Sequence, residues 1–342
     1  MRIALYTDNG KTNFGDDLNR WLWPRLLGRF PEEDDGVYFA GIGTVISKGM
    51  LPPNKRYIVL GSGVGYDILP DDFGSSAWKV LAVRGPLTAR VLGLPADKAV
   101  TDTAALIRLL PECEPLPEAE RSGVVFMPHY TTLDSGNWER VCDLAGITFL
   151  DPFENSEKMV QRIRRAKLVI ADAMHAAIVA DALRVPWIPV ALSPQNNTFK
   201  WLDWTQSLDL PYEPVYLGAS SALEALGNLS CRFRGVSYYC ANRDVVHVTQ
   251  KFKRDQQRRS SGYWRTWHSL LPLLTFRLLQ RILELQLFHG VRQKIDRWYT
   301  RRATRALQEA QRRPAYLSNE SIFNAKLRRL EALVDELATE TE

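Results

Sequence analysis

His175 and Arg84 are the side chains whose settings in the sequence best fit them for chemistry. His175 lies in Asp172-Ala173-Met174-His175-Ala176, between an apolar run ending at Ala171 and a helix-like segment of small apolar residues. In a parallel sheet, loops leaving the carboxyl ends of strands line the ligand crevice. The first turn of the helix that follows carries unsatisfied N–H groups and the positive end of its dipole, which favour an anion. A histidine there can donate to an anion or shuttle a proton near neutral pH, the alternative being a satisfied core histidine. Asp172 reads more simply as the N-cap of that helix.

Arg84 occupies the equivalent position earlier in the chain. It closes an apolar strand, precedes Gly85-Pro86, and is expected to face the crevice at a helix N-terminus. An arginine so placed reads as a bidentate clamp for carboxylate or phosphate, a surface ion pair being the plainer reading. Two glycine-rich turns, Gly41-Ile42-Gly43 and Gly61-Ser62-Gly63-Val64-Gly65, let backbone approach a ligand closely. Their spacing departs from the dinucleotide fingerprint, and no acidic residue follows at the expected interval. There is no P-loop, and no His/Asp/Glu grouping has metal-ligand spacing. Neither a cofactor nor a metal is therefore expected.

These residues need a scaffold, and the sequence implies one. Strand-like runs at residues 2–7, 37–43, 56–63 and 80–85 alternate with amphipathic segments, and Pro86 suits the first position of a helix. The Pro- and Glu-rich stretch at 111–123 is the best linker, and the alternation restarts beyond it up to the strand at 185–192. The expected fold is α/β: two Rossmann-like domains, 1–119 and 120–250, with a cleft between them, and a basic helical extension over 251–342. Pro272, Gly290 and Pro314 divide that extension into about three helices.

The net charge of +5 conceals an asymmetry: residues 251–316 hold 16 Lys/Arg against 4 Asp/Glu, so the rest of the chain is acidic. A basic helical tail on an acidic body points to an anionic surface as partner. Within it, Trp264 to Phe288 mixes aromatic and apolar residues with Arg265, Arg277 and Arg281, as a helix lying on a bilayer does. The alternative is that these helices pack on the body or pair between subunits, and Ile322, Leu330, Val334 and Leu337 suit a docked or dimerising helix. Nucleic-acid binding is a poor use of the charge. The N-terminus lacks the pattern of a signal peptide, and the four cysteines, without framework or metal spacing, suit a reducing compartment, so a cytoplasmic location is expected.

Three short motifs in order add a resemblance. Asn13-Phe14-Gly15-Asp16, Arg84-Gly85-Pro86-Leu87-Thr88 and Met174-His175-Ala176 resemble the N-F-G-D, R-G-P-x-T and R-L-H-[AG] motifs of the polysaccharide pyruvyl transferase family, in particular the bacterial branch that pyruvylates exopolysaccharide repeat units. The likeness runs from residue 3 to about residue 205. Two positions depart from the pattern: Ala173 stands where the family has Arg, and the G-D-P turn appears as Thr101-Asp102-Thr103, which keeps the acid.

The resemblance implies a GT-B-like fold, phosphoenolpyruvate as donor and a sugar with two neighbouring hydroxyls as acceptor, with a cyclic pyruvate ketal as product. Arg84 and the helix start at His175 then offer one anion site from each half, and His175 holds the phosphate or acts as acid/base. Asn13, Gly15 and Asp16 are assigned to the acceptor or to the shape of the crevice, with Asp16 alternatively a plain N-cap. Gly63, Asp102, His129 and Lys200 complete the candidate substrate-binding set. A lipid-linked oligosaccharide acceptor would bring the enzyme to the inner face of the membrane, and a homo-oligomer is compatible with the last helix. Two other readings stay open: a sugar-nucleotide-dependent glycosyltransferase of similar fold, and a non-catalytic, membrane-docked assembly protein.

Overall fold

A computed structural model describes residues 1–7, 10, 12–28, 36–264, 276, 278, 281 and 289–341. Its framework is two parallel sheets. The first joins β1 (Arg2–Ile3), β2 (Val37–Ala40), β3 (Arg56–Leu60) and β4 (Trp78–Ala82) in sequential order. Helix α1 (Phe14–Leu27) makes the first crossover, whereas residues 41–55 and 61–77 cross as irregular chain. Helix α2 (Pro86–Leu92) leaves β4, and the linker stretch forms short 3-10 turns.

The second sheet contains β5 (Val124–Met127), β6 (Thr148–Phe149), β7 (Leu168–Ala171), β8 (Trp187–Ala191) and β9 (Val215–Tyr216), in the order β6-β5-β7-β8-β9. Between and after them run α3 (Trp138–Ala145), α4 (Ser156–Arg165), α5 (Met174–Ala182), α6 (Thr198–Ser207) and α7 (Ala222–Phe233). This is a doubly wound order whose direction reverses between β5 and β7. At such a reversal the crossovers depart to opposite faces and leave a crevice beyond the carboxyl ends of the strands. The first sheet has no reversal, so of the two expected Rossmann-like halves only the second shows this topology.

Burial follows from the layering. All five residues of β8 are buried, as a parallel strand covered on both faces requires. One continuous apolar core links the sheets, running from Leu18, Leu22 and Trp23 of α1 through Leu106 and Ile107 to Ile178 and Val179 of α5. The turn Thr103–Leu109 packs on α5, and α6 packs on α2.

The tail turns back onto the body. After α8 (Val245–Ser260), helix α9 (His289–Ala310) packs on α3 and α7. Tyr316 then pairs with Trp187 in an antiparallel bridge, and α10 (Glu320–Thr341) lies against α1 and the Thr103–Leu109 turn. Phe323, Leu327, Leu330, Val334 and Leu337 form its buried stripe at helical spacing, with Ile322 only half-buried. This helix is thus docked, one of the two outcomes its spacing allowed. Gly290 is the second residue of α9, and residues 282–288 before that helix lie outside the described residues. Of the expected interfacial segment only Trp264, Phe276, Leu278 and Arg281 are described, so that expectation lies largely outside the described residues. No described helix is long and apolar enough to cross a membrane.

Candidate active site

A cavity of about 520 Å³ opens at the carboxyl ends of both sheets. Three helices begin at its wall. Asn13 caps α1 by accepting from the amides of Gly15 and Asp16, Ala173 starts α5 without a side-chain cap, and Asn197 caps α6 by accepting from the amide of Lys200. Three such termini around one space make a strongly anion-seeking environment.

His175, in the first turn of α5, lines this cavity with its side chain 13% exposed. Its Nε2 stands 3.7 Å from Oδ2 of Asp102, whose other oxygen accepts from the amide of Ala104. On the opposite side of the ring is Gly15: a Cβ there would fall 1.9 Å from His175 Nδ1, so only glycine lets α1 approach the imidazole. Asp16 faces the cavity, accepting from Asn13 Nδ2 at 2.5 Å and the Tyr6 amide at 3.4 Å. Burial raises its pKa, against the pull of His175, so the carboxyl holds its proton more readily than a free aspartate.

Lys200 reaches the cavity from α6. Its ammonium lies 3.1 Å from the Tyr66 hydroxyl and 4.4 Å from the centre of that ring. Burial, then the charge of Arg84, bring its pKa down to about 7, where both protonation states are accessible. His129 caps the 3-10 turn after β5, with Nδ1 2.8 Å from Thr131 Oγ1. Burial, then the charges of Lys200 and His175, lower its pKa to about 3, leaving the ring neutral.

Arg84 departs from its expected position. Its guanidinium is wholly buried and lies outside the cavity wall: Nε pairs with Asp203 at 3.1 Å, Nη1 donates to Thr44 Oγ1 and Nη2 to the Val64 carbonyl. Asp203 also accepts from the Thr88 amide at 2.8 Å, capping α2 where Gly85 has no side chain to do so. With these donors directed at protein oxygens, Arg84 ties α6 to α2 and does not face the cavity. Gly63 belongs to the same tie, since a Cβ there would meet Arg84 Nη2 at 2.3 Å. Asp102 likewise serves His175 from behind, for it is fully buried and off the cavity wall.

Asp172 is not the N-cap of α5. Its carboxylate accepts from the His129 amide, the Leu192 amide and Asn196 Nδ2, joining the loops after β5 and β8 to that after β7. Burial raises its pKa to about 6. Nor is Asp16 the cap of α1, a role that Asn13 fills.

Sequence reasoning passed over Tyr6, Tyr66, Tyr130, Tyr238 and Asn196, all of which line the cavity. Three of them follow closely on the ends of β1, β3 and β5, and that placement is the signal that could have found them. Tyr6 and Tyr130 have ring centres 6.0 Å apart, and Tyr66 meets Tyr238 edge-on at 5.1 Å. Among the described residues no group of His, Cys, Asp or Glu could hold a metal.

Fold and site define an α/β enzyme with a cavity at the ends of its strands into which proton-transfer groups reach. The family model for polysaccharide pyruvyl transferases matches residues 50–194. The succinoglycan biosynthesis protein ExoV of Rhizobium meliloti (strain 1021) is 37% identical over 233 residues, covering 68% of this chain and 73% of that protein. No solved structure matches. The chain belongs to the polysaccharide pyruvyl transferase family, and the enzyme is a pyruvyl transferase.

Proposed function

We propose that the enzyme transfers pyruvate from phosphoenolpyruvate to a sugar of a lipid-linked exopolysaccharide repeat unit, forming a cyclic ketal within a GT-B-like cleft at the inner face of the membrane. One observation carries the reading: three helix N-termini, His175 and Lys200 converge on one cavity with the buried carboxyl of Asp16, whose pKa burial raises. Phosphoenolpyruvate brings a carboxylate and a phosphate, and the cavity offers positive character to both. The role once expected of Arg84 falls to Lys200. The tyrosines of the wall provide flat faces of the kind on which sugar rings stack. The relative's part in succinoglycan biosynthesis supports an exopolysaccharide acceptor.

The reaction needs proton carriers. A proton adds to C3 of the enol, and the oxygen of the first hydroxyl bonds to C2 as it loses its own proton. The bond from C2 to the phosphate oxygen then breaks, and the second hydroxyl closes the ring with loss of its proton. Two protons leave the diol, one ending on C3 and one on phosphate. Lys200, at a pKa of about 7, can give and take a proton near neutrality, and Asp16, whose pKa burial raises, holds a proton more readily than a free aspartate. His175, with Asp102 behind it, stands in the first turn of α5, where it can hydrogen-bond the substrate.

The test is phosphate release from phosphoenolpyruvate with and without a lipid-linked oligosaccharide pool, together with labelled pyruvate recovered in acid-labile linkage on the lipid. Acceptor-dependent release with label on the lipid is expected. Release indifferent to acceptor, or a cavity occupied by nucleoside diphosphate in preference to phosphoenolpyruvate, would overturn it.

A further inference from the structure

Helix α9 has a face that the fold leaves outward. Thr300, Ala303, Thr304, Leu307 and Ala310 turn inward and are buried. On the opposite side Val291, Ile295 and Trp298, at i, i+4 and i+7, are 57%, 38% and 59% exposed. Around this apolar triad stand Lys294, Arg297, Arg301, Arg302 and Arg305, all exposed. Of the acids on the helix, Asp296 turns toward the body, where it accepts from the Ala222 amide and pairs with Arg292, and Glu309 stands a turn past Arg305. An exposed tryptophan with two aliphatic neighbours is costly in water. A ring of five cations about it narrows what can cover it.

We infer that this face of α9 docks the enzyme on an anionic lipid bilayer, with Trp298, Ile295 and Val291 entering the headgroup boundary and the five cations meeting lipid phosphates. Charge complementarity decides among occupants. A protein partner or a second copy would have to bring a dense acidic rim. A soluble polyanion would satisfy the cations and leave the apolar triad in water. An anionic bilayer satisfies both, as interfacial helices with a basic polar face do. This inference deepens the reading of a lipid-linked acceptor and rests on it only for the use to which membrane contact is put.

The test uses the full chain and sedimentation with phosphatidylcholine vesicles, with and without phosphatidylglycerol. Binding that depends on phosphatidylglycerol is expected. Trp298→Ser should weaken it about tenfold, and Arg301→Gln, Arg302→Gln and Arg305→Gln about fivefold each. In both sets phosphate release with a detergent-dispersed acceptor stays at the parental rate, because none of these residues reaches the cavity. Failure to bind anionic vesicles, or variants that bind as the parent does, overturns the inference. So does loss on removing the arginines with none for Trp298→Ser, since that marks a soluble-polyanion site. Vesicle binding by a protein without transferase activity would sink the function proposed above and leave this surface intact.

Discussion

Nε2 of His175 and Oδ2 of Asp102 face each other at 3.7 Å, and neither atom has a hydrogen-bond partner among the described residues. The carboxylate is fully buried behind the ring, so its electrostatic effect falls on the imidazole. The ring is thus held between that carboxylate and Gly15, toward which its Nδ1 points.

Asp102→Asn keeps the size of the side chain and removes the charge. Turnover should fall about 10- to 100-fold, while the unfolding midpoint stays close to that of the parent. In a His175→Gln background the same change should cost little more, because two residues acting as one unit are non-additive. Full additivity in steady-state phosphate release would separate them.

Gly15→Ala places a methyl group where the imidazole is. The ring must turn or α1 must shift, and a displacement of this order should lower kcat/KM about 100-fold. A variant with parental kcat/KM would show that the orientation of His175 is not critical.

Lys200 gives a pH signature. Its pKa is about 7 in the fold and 10.5 when unconstrained, so the unfolded chain binds more protons between those values and stability rises with pH across that window. Below about pH 7 the protonated form bears the whole penalty of burial. Lys200→Met should therefore raise the denaturation midpoint at pH 6, narrow its gain by pH 9, and abolish turnover. With Lys200 protonated for anion binding, kcat/KM for phosphoenolpyruvate should decline above about pH 7. A limb that persists unchanged in Lys200→Arg would assign it to another group.

Arg84→Met leaves Asp203 buried and unpaired, a loss on the order of 3–5 kcal/mol. The expected readout is a large drop in the urea midpoint, with the KM for phosphoenolpyruvate retained by the molecules that remain folded. A raised KM at parental stability would return Arg84 to the role of a clamp.

What could be read from the chain was local. Period and punctuation located the strands and helices from β5 to β8 closely but gave no sign of β9 or α7, and the helix start at His175 lies where the pattern put it. Arg84 misled because its partner is distant: Asp203 is 119 residues away, and no local signal says that a strand-end arginine will be walled in. Asp172 resembled a cap for a similar reason. Its carboxylate is claimed by the loops after β5 and β8, which become neighbours only once β7 lies between them. The cavity tyrosines carried no motif, being marked only by where strands end.

Helix α10 leaves the ribosome long after α1, the helix it covers. At ordinary elongation rates the delay amounts to about tens of seconds, during which the groove for Leu330 and Leu337 stands open to water. The packing of α1, an early element, is therefore completed only when this late helix arrives.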